Sequence, residues 1–493
     1  MQKKQTILVV ASLLVVVLSV TLAYFTAQII GKGKDVSVSS ADLKIIFTDS
    51  DGAISGSNIE PGWSDTKTFT VENNSKSEYK YNIVIKDLLN TFVTNGYLQY
   101  KITSTNGGYN MTEFKDVPKS SVATDTILAY SVVIPNGVTQ SYTIEFKYAN
   151  DESVDQSDDM GKKLSGKLFI TEGTEDPNKT LYNQLLADKS TVLTRTDFSK
   201  VLTDNNTKTL YTSTEDSKTV YYFAGNATDN WVKFGKNASN QDLYWRIIRT
   251  NSDGGVRLLY HGTSTTATDA YIRTSTFNSS YNNIAYVSYM YGNLGSVANA
   301  RENTTDSTIK TIIDNWYKDN LNTNYGKYLS TTAVYCNDRS TSDNAYFGAY
   351  TRLITNKTPS YDCAATEDKF TVDSTVGNGK LTYPIALMTA DEVSFAGGVY
   401  GTNAPTWYYY NSANGSSTGS TWWWLLSPNF WDGSRAGVFF VGGSSFPGSF
   451  SGDYVGNTGN VRPAISLKSC TKYSTGNGSA SDPYTIKETS SGC

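Results

Sequence analysis

The sequence predicts a β-rich chain of two domains, a jelly-roll-like antiparallel β-sandwich followed by an α+β domain, with an apolar helix ahead of both. Three observations carry this. Between Val36 and Glu172, seven short runs alternate apolar and polar residues and are separated by Gly, Pro, Asn and Asp, as strands joined by turns do. From Asp216 onward, short apolar runs are interspersed with two segments of helical period. Lys3 and Lys4 precede an apolar run from Ile7 to Leu22 that only Ser12, Ser19 and Thr21 interrupt.

That first segment, residues 1–30, is a charged region followed by a long apolar one, the pattern of a signal peptide or a membrane anchor. Both readings stay open, because Ala23 and Ala27 offer small-residue cleavage positions and the run is long for a signal peptide. Either way the lysines stay inside and everything after residue 30 is outside. Composition agrees with export: only 18% of the 493 residues are charged, whereas Tyr occurs 35 times. A net charge of −4 supplies no basic footprint for nucleic acid. Four cysteines, none in a CxxC pair, predict two disulfides in an exported chain, and proximity favours Cys336 with Cys363 and Cys470 with Cys493 among three pairings. Each closes a loop worth roughly 3–4 kcal/mol of chain entropy. The single histidine, His261, leaves too few nitrogen ligands for zinc, so no metal is expected.

Residues 31–172 form the expected sandwich, with strands in ADLKIIFT, TKTFTVEN, YKYNIVIKD, YLQYKIT, ILAYSVVIP, SYTIEFKYA and LSGKLFITE. The stretch IEPGWSDTKTFTVEN from Ile59 to Asn73 sets a Pro-Gly turn before a strand. Together with Leu22-Ala23-Tyr24-Phe25-Thr26 at the end of the apolar segment, it resembles the camelysin/TasA family of Gram-positive surface and matrix-fibre proteins. The resemblance implies export, surface display and self-assembly by strand exchange. It does not imply proteolysis, since no His or zinc-like cluster is present. Residues 173–215 turn polar and read as a linker with a short amphipathic helix over Thr180 to Ala187.

The distal domain, 216–493, opens with strands in VYYFAG and NWVKFG. It continues through LYWRIIRTNSDGGVRLLYHG, where Asp253-Gly254-Gly255 supplies a hairpin turn. A helix over Ser307 to Asn320, with Asp306 as N-cap, carries Ile309, Ile312, Ile313 and Trp316 at helical spacing. A second, over Thr389 to Ala396, starts at a Thr cap with Asp391 and Glu392 suiting the helix dipole. The ordered segments WRIIR, CNDRS, AYFGAYTRL, LTYPIALMTADEVSFAGG, WWWLLSP, VRPAISLKSC and GNGSASDPYTI are similar to a C-terminal domain of surface proteins from Gram-positive gut bacteria. Through it they resemble the C-type-lectin-like fold of formylglycine-generating enzymes and of the variable proteins of diversity-generating retroelements.

The candidate site lies in the variable-type region 422–467. Trp422, Trp423 and Trp424 open one apolar strand, and Arg462 and Pro463 sit in another from Val461 to Leu467; these are scaffold residues, Arg462 a buried hydrogen-bonder. Between them Asn429, Phe430, Trp431, Asp432, Ser434, Arg435, Ser445, Phe446, Pro447, Ser449, Phe450, Ser451, Asp453, Tyr454 and Asn457 stand in a Gly-rich run. Rigid aromatics beside small hydrogen-bonding residues have the composition of antibody paratopes, and Lys and Glu, depleted at interface cores, are absent. The retroelement resemblance implies targeted diversification, in which mutated adenines never yield Lys, Glu, Gln, Met or Trp. Asn429 to Asn460 obeys that exclusion except at Trp431.

Catalysis is not expected. His261 follows a strand ending LLY and reads as a surface or turn residue, and no catalytic or nucleotide motif is present. The adjacent carboxylates Asp391 and Glu392 cannot face each other across a substrate. The copper-binding cysteine pair of the formylglycine-generating enzymes has no counterpart, and Asp432 and Asp453 are too isolated for a calcium site. The sequence therefore reads as a cofactor-free cell-surface binding protein whose partner is a protein or glycan on another cell, phage or host surface. The alternative is a structural subunit of an extracellular fibre.

Overall fold

The computed structural model describes residues 36–40, 43–49, 54–55 and 59–493, except 269, 342–344, 405–406, 409–421 and 444. The apolar segment of residues 1–30 lies outside them. Among the described residues no helix is long and apolar enough to cross a membrane. The chain divides into two compact units, Met1–Pro177 and Asn178–Cys493.

The first unit consists of two antiparallel sheets, and all seven expected strands are present. One sheet runs in the order Val36–Ser40, Leu43–Asp49, Ser64–Asn73, Thr139–Tyr148, Leu98–Ser104, Lys115–Asp116, and the other Ile54–Ser55, Leu164–Glu172, Tyr79–Asn90, Ser120–Ile134. The period-two pattern does what it predicts: in Thr139–Tyr148 the alternate residues Gln140, Tyr142, Ile144, Phe146 and Tyr148 are buried. Across the sheet Phe69 pairs with Tyr142 and their rings stack at 4.7 Å. Gln140 is the buried polar exception, and it is satisfied: Tyr81 Oη donates to its Oε1 at 2.6 Å and its Nε2 donates to the Val133 carbonyl at 2.9 Å. Pro61-Gly62 makes the expected turn, with Gly62 at φ 93° and Trp63 N–H donating to the Glu60 carbonyl.

The second unit begins earlier than the sequence suggests. The helix Leu181–Asp188 buries Leu181 and Leu185 in the distal core, Lys189 forms a buried 2.7 Å ion pair with Asp229, and Thr191–Thr194 pairs with Thr209–Glu215. Residues 178–215 are therefore part of the distal fold and not a linker; polar composition concealed two leucines one helical turn apart that meet an apolar face.

Two sheets make up most of this unit. The larger is built on Trp231–Lys236, Asp242–Thr250, Val256–Gly262 and Pro463–Leu467, with Tyr473–Thr475 and Tyr484–Ile486 at one side. Asp253-Gly254-Gly255 closes the hairpin as expected, Gly254 lying at φ 81°. The smaller has the order Arg273–Ser275, Gly459–Val461, Trp423–Trp431, Ala436–Val441, Phe450–Tyr454. The helix Thr308–Asn320 buries Ile309, Ile313 and Tyr317, but its cap is Ser307, which accepts from Lys310 N–H at 3.2 Å. Asp306 instead pairs with the Lys310 ammonium at 3.3 Å. Both expected disulfides are present, Cys336–Cys363 and Cys470–Cys493, and such bonds mark extracellular or secreted proteins.

Candidate recognition surface

The scaffold forms where two apolar segments enter different sheets. Trp423 and Trp424 are almost wholly buried, and Trp423–Trp431 pairs with Ala436–Val441 on one side and touches Gly459–Val461 on the other. Its backbone is tied into the core, with Leu426 N–H donating to the Met388 carbonyl and Asn337 Nδ2 to the Leu426 carbonyl. Val461 belongs to the smaller sheet and Pro463 to the larger, so Arg462 stands at the crossing. It is 1% exposed, its Nε donates to the Tyr260 carbonyl at 2.8 Å, and its guanidinium lies 5.0 Å from the Trp423 ring.

On this frame the expected contact residues separate into two groups. Asn429, Ser449 and Phe450 are 1%, 5% and 1% exposed, so they are internal and cannot touch a ligand. Asn429 lies under Gly452, where a Cβ would come within 2.6–2.7 Å of its amide. Phe450 packs against Phe439 and Tyr400. Residues 423–429 are buried one after another in a strand covered on both faces, and composition cannot say where that cover ends.

The others reach the surface. Asp432, Ser434 and Arg435 form an exposed turn in which Asp432 Oδ1 accepts from Ser434 N–H, Ser434 Oγ and Arg435 N–H at 2.7–2.9 Å. The Ser434 backbone bond is the main reason the Asp432 carboxyl is held below its usual range. Arg435 closes back on Asp432 at 3.0 Å and lies 3.9 Å from the Tyr454 ring centroid, and Tyr454 meets Phe430 edge-on at 5.5 Å. Gly437 allows that arrangement, since a Cβ there would lie 2.3 Å from the Phe430 ring. Asp453 accepts from Asn457 Nδ2 at 2.8 Å. Ser445 is exposed, Phe446 is 64% exposed, Ser451 is partly exposed, and Trp431 and Trp422 are partly buried against the core. The result is a set of preformed polar turns and partly exposed aromatic rings on a rigid sheet, suited to contact and hydrogen bonding.

Two expectations are corrected here. His261 is not a surface residue: it is fully buried at the end of Val256–Gly262, edge-on to Trp231 at 4.4 Å and 3.4 Å from Arg462 Nη2. Asp391 and Glu392 are more than charges that suit a helix dipole. In Ala390–Phe395 both are buried, and Glu392 completes the capping box with Thr389.

Glu392 Oε1 accepts from Arg249 Nε at 3.0 Å and Arg257 Nη1 at 2.9 Å, while Arg249 Nη2 reaches Glu215 at 2.8 Å. Arg352 clasps Asp391 through two bonds of 2.9–3.0 Å and also pairs with Asp338. Burial drives the Glu392 carboxyl upward, but Arg257 and Arg249 outweigh it and leave its pKa lowered. The sequence does carry a trace of this cluster, arginines inside the apolar strands WRIIR and VRLLYHG. The cavity among these groups is about 20 Å³, room for a water but not a substrate, so the cluster is structural.

No protein-family model matches the chain, and no curated protein matches it. Among solved structures the chain is similar to a ruminal GH26 endo-β-1,4-mannanase, at 14% identity over 29% of each chain with a TM-score of 0.15. A likeness at that score bears on neither fold nor activity.

Proposed function

We propose that the chain is a cell-surface binding protein of adhesin or receptor type, without catalytic activity, that presents the 430–457 surface to a protein or glycan. The observation that carries this is the division within one segment: Trp423, Trp424, Arg462 and Pro463 are buried in the sheets, while Asp432, Ser434, Arg435, Ser445 and Phe446 project outward. A surface whose side chains do not support the fold is free to change its partner. The C-type-lectin-like and retroelement resemblance gives that division a purpose, and the camelysin/TasA resemblance supports reading the sandwich as a stalk on a Gram-positive-type cell. Export through the N-terminal segment accords with the two disulfides.

Sequencing codons 420–470 and their flanking DNA across many isolates tests the proposal. Substitutions at template adenines in the codons of Ser434, Phe446 and Tyr454, beside constant codons for Trp423, Trp424 and Arg462, are expected. Uniform codons without a template copy would reject diversification and leave a fixed adhesin. The fibre reading is separated by electron microscopy of the purified chain, since filaments without ligand binding would replace the first proposal.

A further inference from the structure

Beside the recognition surface the distal unit has a concave feature to which the variable-type segment contributes Trp431. Trp431 forms one wall, and the others come from Asn283, Ile284, Gly295, Ser296, Val297 and Thr341, far away in sequence. The cleft measures about 450 Å³, within the range of small-molecule sites, roughly 300–1,000 Å³. Its walls are preset. Trp431 N–H donates to the Ala345 carbonyl, and Ala436 N–H donates to the Tyr281 carbonyl, which holds the 277–287 segment against the sheet. Asn283 Oδ1 accepts from both Ala285 N–H at 3.0 Å and Gly295 N–H at 3.1 Å, joining the two turns opposite the indole.

We propose that this cleft binds a neutral saccharide ring; the inference rests on the recognition reading above and names its ligand chemistry. Among the described residues no lining residue is charged, so an ionic ligand finds no counter-charge among them to offset its desolvation. The lining contributes one aromatic plate and several hydroxyl or amide groups, matching a pyranose with an apolar C–H face and a rim of hydroxyls. Asn283 spends Oδ1 on the backbone, and its Nδ2 donates to no described residue. Ser296 Oγ accepts from Asn299 N–H at 3.1 Å and keeps its own proton to donate.

Saturation-transfer NMR and tryptophan fluorescence titration of the full chain with methyl glycosides of glucose, galactose, mannose and N-acetylglucosamine test the proposal. At least one glycoside is expected to bind, with transfer concentrated on the C–H protons of one ring face. Trp431→Ala should weaken it about tenfold or more, as loss of an aromatic anchor does. Trp431→Phe should retain part of the affinity, Thr341→Val should weaken it with shape preserved, and Val192→Ala, exposed and outside both the cleft and the recognition surface, should leave it unchanged. Absence of binding by all four glycosides, or binding indifferent to Trp431→Ala and Thr341→Val, overturns the cleft proposal. Cell-surface or protein binding that survives Trp431→Ala but falls with Phe446→Ala and Tyr454→Ala would overturn the saccharide cleft while sustaining the recognition reading. A chain that binds neither glycosides nor surfaces overturns both.

Discussion

Replacing Glu392 by glutamine removes one charge and almost no volume from the centre of the distal unit. The carboxylate is 2% exposed and accepts three hydrogen bonds, from Arg249 and Arg257 through Oε1 and from Thr389 N–H through Oε2 at 3.0 Å. A glutamine keeps one acceptor oxygen and turns an NH₂ group toward either the arginines or the Thr389 N–H, so one donor must face another. Arg249 keeps Glu215, but Arg257, 1% exposed, loses its only ion pair among the described residues. Removing one partner of a buried pair costs about 3–5 kcal/mol, because the remaining charge stays desolvated. Urea unfolding followed by tryptophan fluorescence reads this directly, since every tryptophan except Trp63 lies in the distal unit. The exposed Glu488→Gln is the control.

The acid side offers a second reading of the same group. Glu392 and Glu215 both have pKa values lowered from 4.5 in the folded chain, burial being outweighed by the arginines. Carboxylates lowered on folding contribute stability above their unfolded value and lose it as pH falls toward the folded one. The unfolding midpoint should therefore drop as pH is lowered below 4.5, and less steeply in Glu392→Gln. A loss below about 1 kcal/mol at neutral pH, the range of a surface pair, would refute the assignment of this cluster as a structural centre.

Other substitutions follow from the same geometry. Trp424→Ala should cost about 3–5 kcal/mol by opening a cavity in the core, whereas Phe446→Ala, at 64% exposure, should stay within about 0.5 kcal/mol; urea midpoints that fail to separate the two would contradict the division between frame and display. Joint replacement of Cys336 and Cys363 by serine opens a loop of sequence separation 27 and should cost roughly 3–4 kcal/mol, read from the thermal midpoint with and without reductant. At the 308–320 helix, Ser307→Ala should cost about 1 kcal/mol and Asp306→Ala less, since Ser307 supplies the cap and Asp306 only an ion pair with one partner 37% exposed.

Elements with a regular period or a turn residue were legible in the chain. The seven sandwich strands, the Pro61-Gly62 and Asp253-Gly254-Gly255 turns, the Thr389 cap and both cysteine pairings are set by neighbours close in sequence, where backbone geometry and loop closure act. The frame of the candidate surface was legible for the same reason, because WWWLLSP and VRPAISL are too apolar to lie in water.

Tertiary structure decided the rest. Asn429 and Phe450 belong to the interior although their composition matches that of the exposed residues around them, because Trp423–Trp431 is covered on both faces as far as Asn429 and Phe450 packs against Phe439 and Tyr400. Leu181 and Leu185 become core only where an apolar face meets them. Glu392 finds Arg257 across 135 residues, and Trp431 meets Asn283 and Ser296 across a comparable distance in sequence. Local sequence determines which residues can form a strand, a turn or a disulfide, since those depend on short-range sterics and loop entropy. Which charge is neutralised and which aromatic ring lines a cleft depends on contacts between distant segments, which only packing creates.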